Sequence, residues 1–306
     1  MAVCLAVLVL AAAPSARASG RMTGPDQGAV APQSPLPAPG QRAGPPHRAL
    51  TGACPAIASG FSCLMRWRIR AAQRYLAGQP GRIGLVLHDR VTGATWRNAN
   101  ARADFPAAST IKLAMVTDLL RRARAGRIAL TPSDWTLIYQ ALHESSDAAA
   151  DQLWSAFENG RFLRRIARFG MTSGSFSASP PYWGYMYCSP EDLDNLMNYV
   201  LTGLPYGDRS YLIRQLRHVA RIQQWGVWGA GQARRPGNKN GWEDDNGIWV
   251  TNTVGFAGPG ARYTLAIMDE VSAHTGFRVG TNTLTQISAL LFRGGHVPWP
   301  AAEATP

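Results

Sequence analysis

Lysine is almost missing from this chain. Of 31 basic residues only Lys112 and Lys239 are lysines, and the rest are arginines. That usage fits a G+C-rich genome that writes arginine wherever plain positive charge suffices. Arginine holds its proton at any workable pH, whereas lysine can release one. The shortage therefore excludes lysine as generic surface charge and singles out two positions where an amine is needed. Acidic residues are also few, 19 against 31 basic, which leaves a formal charge of +12. The arginines are dispersed and no recognition motif accompanies them, so nucleic acid is not the expected partner; an anionic cell-wall polymer or phospholipid surface fits better. Cysteine occurs four times, and no Cys/His spacing suggests zinc. No metal and no cofactor is expected. Beyond one apolar run near residue 3, no segment is a candidate to cross a membrane.

That run, Val3 to Ala13, is followed by Ala16-Arg17-Ala18. A short apolar core before a small-x-small site reads as a secretory signal over residues 1–18, although a basic n-region is lacking. Secretion into the cell-wall space is the expectation, without stable membrane insertion after cleavage. Cys4 leaves with the signal, and Cys54, Cys63 and Cys188 remain, an odd number for an oxidising compartment. Cys54 and Cys63 are the nearest pair; pairing of either with Cys188 stays open. Residues 19–55 are rich in Pro, Gly, Ala and Gln and read as a flexible tether. The folded domain is expected over residues 56–300, as a monomer.

Within it, Phe61 to Leu76 reads as a helix, and Arg82 to Leu87 and Ala94 to Arg97 as strands joined by a turn. Thr131-Pro-Ser-Asp134 and Ser189-Pro-Glu-Asp192 are helix starts, each with a hydroxyl cap, proline and a carboxylate. Glu191 is read as a first-turn carboxylate favoured by the helix dipole. Met171 to Cys188, rich in Ser, Gly, Pro and aromatics, reads as a long ordered loop. Pro205-Tyr-Gly207 reads as a turn and Asp208 to Gln224 as helical. Three strands, Asn238 to Glu243, Gly247 to Phe256 and Ala261 to Glu270, form a meander, and Arg278 to Arg293 is a closing helix. Early and late strands should therefore meet in one antiparallel sheet flanked by helices, with an all-helical subdomain over about 109–225: an α+β fold.

The stretch from Phe105 to Leu120 stands out. Ile111, Leu113, Met115, Val116, Leu119 and Leu120 leave no polar stripe, which predicts a helix buried on most sides. Ser109 and Lys112 do not belong in such a core. Three residues apart, they share a helix face. Burial lowers a lysine's pKa, and a neutral amine beside a hydroxyl is a base beside a nucleophile. The plain alternative is a capping serine and a snorkelling lysine. A second cluster, Glu144-Ser-Ser-Asp-Ala-Ala-Ala-Asp151, opens another helix. Its plain reading is an N-cap; its chemical one is a hydroxyl between two amines that relays a proton. Lys239 lies in Asn238-Lys-Asn-Gly-Trp242, where it can hold a substrate carboxylate and polarise that relay. Gly241 permits close approach of a substrate backbone, and the Trp242 and Ser109 N–H groups can share an oxyanion.

In this order, Ser109-Thr-Ile-Lys112, the Ser-Ser-Asp cluster and Lys239-Asn-Gly241 resemble the three motifs of class A β-lactamases and penicillin-recognising serine enzymes. Lys-Asn-Gly-Trp resembles the secreted β-lactamase-like hydrolases of G+C-rich bacteria. The resemblance implies a β-lactamase/transpeptidase-like fold. It makes Ser109 the acylated nucleophile, Lys112 its base, Ser145 the relay and Lys239 its partner, with Asp147, Asn240, Gly241 and Trp242 binding a β-lactam or cell-wall peptide. Ser146 as relay is the other register. Asp147 stands where the family has asparagine, and Asn240 where it has a hydroxyl residue. The Met171–Cys188 loop holds no glutamate, whereas class A enzymes keep their deacylating glutamate there; the implied acyl-enzyme forms and persists. Two other readings stay open: a D,D-peptidase or esterase-like acyl hydrolase, and a non-catalytic penicillin- or cell-wall-binding module.

Overall fold

The computed structural model describes residues 54–158, 160–271 and 275–293. The expected signal, nearly all of the tether and residues 294–306 lie outside them. Helix α1 (Cys63–Leu76) starts on Ser62, whose side chain accepts from the Met65 N–H, and it buries Met65, Ile69 and Ala72 as a single stripe. Strands β1 (Arg82–Asp89) and β2 (Thr95–Arg97) form the expected hairpin. After a two-residue strand β3 (Phe105–Pro106) comes α2 (Ile111–Arg124), in which every residue from Ile111 to Leu120 is buried. Sequence reasoning passed over one oddity there: Asp118 lies inside this helix and accepts from Arg165 Nε at 2.6 Å.

Helices α3 (Pro132–His143), α4 (Asp147–Phe157) and α5 (Phe162–Ile166) follow. The Met171–Cys188 segment is more regular than its composition suggests. It contributes β4 (Ser175–Phe176) and β5 (Met186–Cys188), and β5 pairs with both β4 and β3 in a small antiparallel sheet. Two-residue strands carry too short an alternation to be read from sequence. Helix α6 (Pro190–Thr202) has the capping box expected at Ser189 and Asp192, as α3 has at Thr131 and Asp134. Glu191 is bound to Arg97 and Arg102 at 2.7 and 2.6 Å, a structural carboxylate. Helix α7 (Tyr206–Arg217) begins one residue after Pro205, so the supposed turn is a helix start, and it ends before Gln223, which sits in a separate single turn.

Strands β6 (Gly237–Asp245), β7 (Ile248–Ala257) and β8 (Tyr263–Glu270) form the meander, and α8 (Phe277–Phe292) closes it. The main sheet has the order β2-β1-β8-β7-β6, antiparallel throughout, so the first long strand pairs with the last. One face of this sheet packs Leu85, Leu87, Leu265 and Ile267 against α1 and α8. The other packs Val254, Phe256, Ala266 and Met268 against the helices α2 to α7. β6 is one edge of the sheet, and its Gly241 lies against the turn that precedes α2. The cysteines in view are free thiols; Cys188 is buried in β5, and Cys54 and Cys63 are exposed.

Candidate active site

Ser109 sits in a single helical turn, Ala108–Thr110, between β3 and α2. The turn is pinned from two sides. Thr110 Oγ1 donates to Ala107 O at 2.6 Å, and Asn252 Nδ2, from β7, donates to Pro106 O at 2.8 Å. Ala108, just before the serine, is held at φ +45°, and Ser145 at φ +63°. Left-handed backbone in residues other than glycine is strained and tends to be kept where a site needs it. Of the six such residues among those described, these two lie at the clusters singled out by sequence. Ser109 keeps 8% of its surface open.

Lys112, the second residue of α2, is fully buried one turn after Ser109. Its Nζ donates to Ser145 O at 2.6 Å and to Asp147 Oδ1 at 2.5 Å, and lies 4.6 Å from the centre of the Trp183 ring. It makes no hydrogen bond to Ser109 Oγ; the amine leans across to the start of α4. Burial pushes its pKa down, and the Asp147 carboxylate pulls it back up.

Lys239 is fully buried on β6. Its Nζ has three oxygen partners: Ser145 Oγ at 2.8 Å, Gln223 Oε1 at 2.7 Å and Asn240 O at 2.7 Å. An ammonium has three N–H groups, and all three are used. Burial holds this amine well below the ordinary lysine range, and the nearby Lys112 charge lowers it further. The two lysines thus meet on one residue, Lys112 at the carbonyl of Ser145 and Lys239 at its hydroxyl. Ser146 instead caps α4, accepting from the Ala149 N–H at 3.2 Å. Gly241 brings β6 against the serine turn: a Cβ there would stand 2.7 Å from Thr110 N and 2.8 Å from Ser109 N. Only glycine fits that approach.

Residues 68–133 match the model of the beta-lactamase enzyme family. A beta lactamase from Xanthomonas campestris pv. campestris superposes with a TM-score of 0.65 at 17% identity, covering 75% of this chain and 98% of that one. The fold is that of the β-lactamases. A PBP-A mutant solved as an acyl-enzyme complex with penicillin G gives a TM-score of 0.62 at 19% identity, over 74% of this chain and 95% of that one. A beta-lactamase from Streptosporangium roseum gives 0.62 at 18%, over 74% and 98%. No curated protein matches the chain. The family match is confined to residues 68–133, and at these identities the solved structures show a shared fold. The matched segment includes Ser109 and Lys112 and stops short of Ser145 and Lys239, so those two rest on geometry.

Two expectations for this site need correction. The Asn240 side chain does not face a substrate. It is fully buried, donating to Gln223 O at 2.8 Å and accepting from Asn238 Nδ2 at 2.6 Å. Neighbours on a strand point to opposite faces, so Asn240 turns away from Lys239 and Gly241. For the same reason the Trp242 ring leaves the serine. It packs at 6.2 Å from both Trp225 and Phe277, and only its backbone stays on the site's edge. Asp147 is largely exposed at the mouth, bound to Lys112. Sequence reasoning missed Gln223, which fixes Lys239 and donates to Leu142 O and His143 O at 2.8 Å each. It also missed Asp151, which accepts from Tyr182 Oη at 2.5 Å and Trp183 Nε1 at 2.8 Å and so holds the ring over Lys112. Neither has a local sequence signal; both depend on distant segments meeting. His143 serves structure, its Nδ1 lying 2.5 Å from His218 O.

Proposed function

We propose that the protein is a secreted serine hydrolase that forms an acyl-serine intermediate on β-lactams or related amides. The observation that carries the reading is the convergence of two buried lysines on Ser145, next to a serine turn backed by Gly241. In the proposed reaction Ser109 Oγ attacks the amide carbonyl while Lys112, which burial makes a weaker holder of protons, takes the serine proton. The leaving nitrogen receives a proton from Ser145 Oγ, which regains one through the lysine pair. In this reading the developing oxyanion is stabilised by the backbone N–H groups of Ser109 and Trp242. Lys239 acts through Ser145, since its N–H groups are already taken.

The likeness to a PBP-A acyl-enzyme favours a long-lived adduct, as does the absence of glutamate from the Met171–Cys188 loop. Expected is a covalent penicillin adduct on Ser109, with slow turnover of a chromogenic cephalosporin. Both are read on purified protein by intact mass and absorbance, with Ser109→Ala as control. An adduct that never turns over, together with cleavage of D-alanyl peptides, points to the peptidase reading. No adduct with any acyl donor leaves a binding module and sinks the proposal.

A further inference from the structure

An acyl-enzyme on Ser109 leaves only if a base takes a proton from water at the ester carbon. The carboxylates around the site are almost all engaged. Asp147 holds Lys112, and Asp151 holds Tyr182 and Trp183. Glu243 is different. Among the described residues it has no hydrogen-bond or ion-pair partner. Lys239, Gly241 and Glu243 alternate along β6 opposite Val254, Asn252 and Val250, so all three face the serine side of the sheet. Glu243 stands two residues beyond the glycine that touches the Ser109 turn, about 7 Å along the strand. The carboxyl is half-buried in a cleft of about 290 Å3 lined also by Pro106, Tyr185, Tyr187, Asp244 and Asp245. Burial raises it to about 7, helped by Asp245 beside it and Asp147 across the site on α4. Among the described residues no cationic side chain pairs with it; Tyr185 and Tyr187 are the titratable groups facing it from the β5 side.

We infer that Glu243 is the general base of deacylation, taking the place of the glutamate absent from the Met171–Cys188 loop. The inference rests on the acyl-serine reading. Its carboxylate accepts one proton from water as the water oxygen bonds to the acyl carbon. The carbon–Oγ bond then breaks, Ser109 Oγ takes that proton back, and the product leaves as a carboxylic acid. Burial, with Asp245 and Asp147 adding to it, holds Glu243 protonated below neutrality, so deacylation rises with pH through about 7.

The test follows acylation and deacylation separately, by intact mass after a penicillin pulse, in the full chain and in Glu243→Gln. Expected in the variant are acylation within threefold of the parent, deacylation slower by a hundredfold or more, and no rise through neutral pH. Its acylation doubles as proof of an intact fold. Adduct loss at the parental rate overturns the role of Glu243 and leaves the acyl-serine reading standing. A parent adduct that never hydrolyses does the same. Absence of an adduct from both proteins overturns the acyl-serine reading and this inference with it.

Discussion

On the sheet face that carries Lys239 and Gly241, Lys239 Nζ has three oxygens around it and Lys112 two, and Ser145 and Gln223 are both partnered. On the opposite face, beneath α8, Asp269 Oδ1 and Thr251 Oγ1 are buried without a partner among the described residues, directly across from each other on β8 and β7. A buried polar atom without a partner costs about 1–3 kcal/mol. A fully bonded network is rigid and holds its groups in one arrangement. The site face is therefore organised for chemistry, and changes there should strike rate before stability. Changes beneath α8 should do the reverse.

The largest effect expected on the site face comes from replacing lysine by arginine. Lys112→Arg and Lys239→Arg each keep the charge and remove the ability to shed a proton. Acylation by a penicillin, followed by mass, should fall about 10²–10⁴-fold, the range for losing a general base. Parental rates in the double variant would break the contrast between the faces. Next comes Gly241→Ala. The added methyl stands within 2.8 Å of the Ser109 and Thr110 nitrogens, so the turn must shift. Acylation should drop by about 10–100-fold from misplacement, while the melting temperature moves little.

How much of this was legible beforehand divides along the same lines. The strands, the long helices and both capping boxes follow from local alternation, periodicity and turn residues, which is why β1, α2 and β6 to β8 lie within a few residues of their expected bounds. The placing of Ser109 and Lys112 on one buried helix also follows from local pattern. What escaped depends on chain segments far apart. Gln223 reaches Lys239 only because the segment after α7 folds back along β6. Asp118 tolerates burial only because Arg165 arrives from α5. The resemblance places Asn240 at the substrate, whereas strand alternation applied strictly from Lys239 turns it away.

A smaller effect tests the difference between the two lysines. Lys112 has a carboxylate partner and Lys239 only uncharged oxygens. Asp147→Asn removes what holds the Lys112 pKa up. A base with a lower pKa is free at lower pH, so the acid limb of the acylation profile should move toward acid. At pH 5–6 the variant should acylate about tenfold faster relative to its plateau. A profile that stays in place means that Lys112 is not the group titrating.

The smallest effect belongs to the far face and concerns stability alone. Burial, with Glu270 adding to it, raises the Asp269 carboxyl to about 8. In the unfolded chain an aspartate titrates near 3.9. Between those values the folded protein keeps a proton that the unfolded chain has lost. The contribution of Asp269 to stability is therefore complete at acid pH and drains away as pH rises toward 8. Asparagine has no such proton, so Asp269→Asn should match the parent near pH 4 and exceed it increasingly above, by about 1–3 kcal/mol at pH 8. Urea midpoints at the two pH values read this directly. An offset that does not change with pH assigns the effect to packing beneath α8 rather than to the proton, and a changed acylation rate would show that the two faces are not independent.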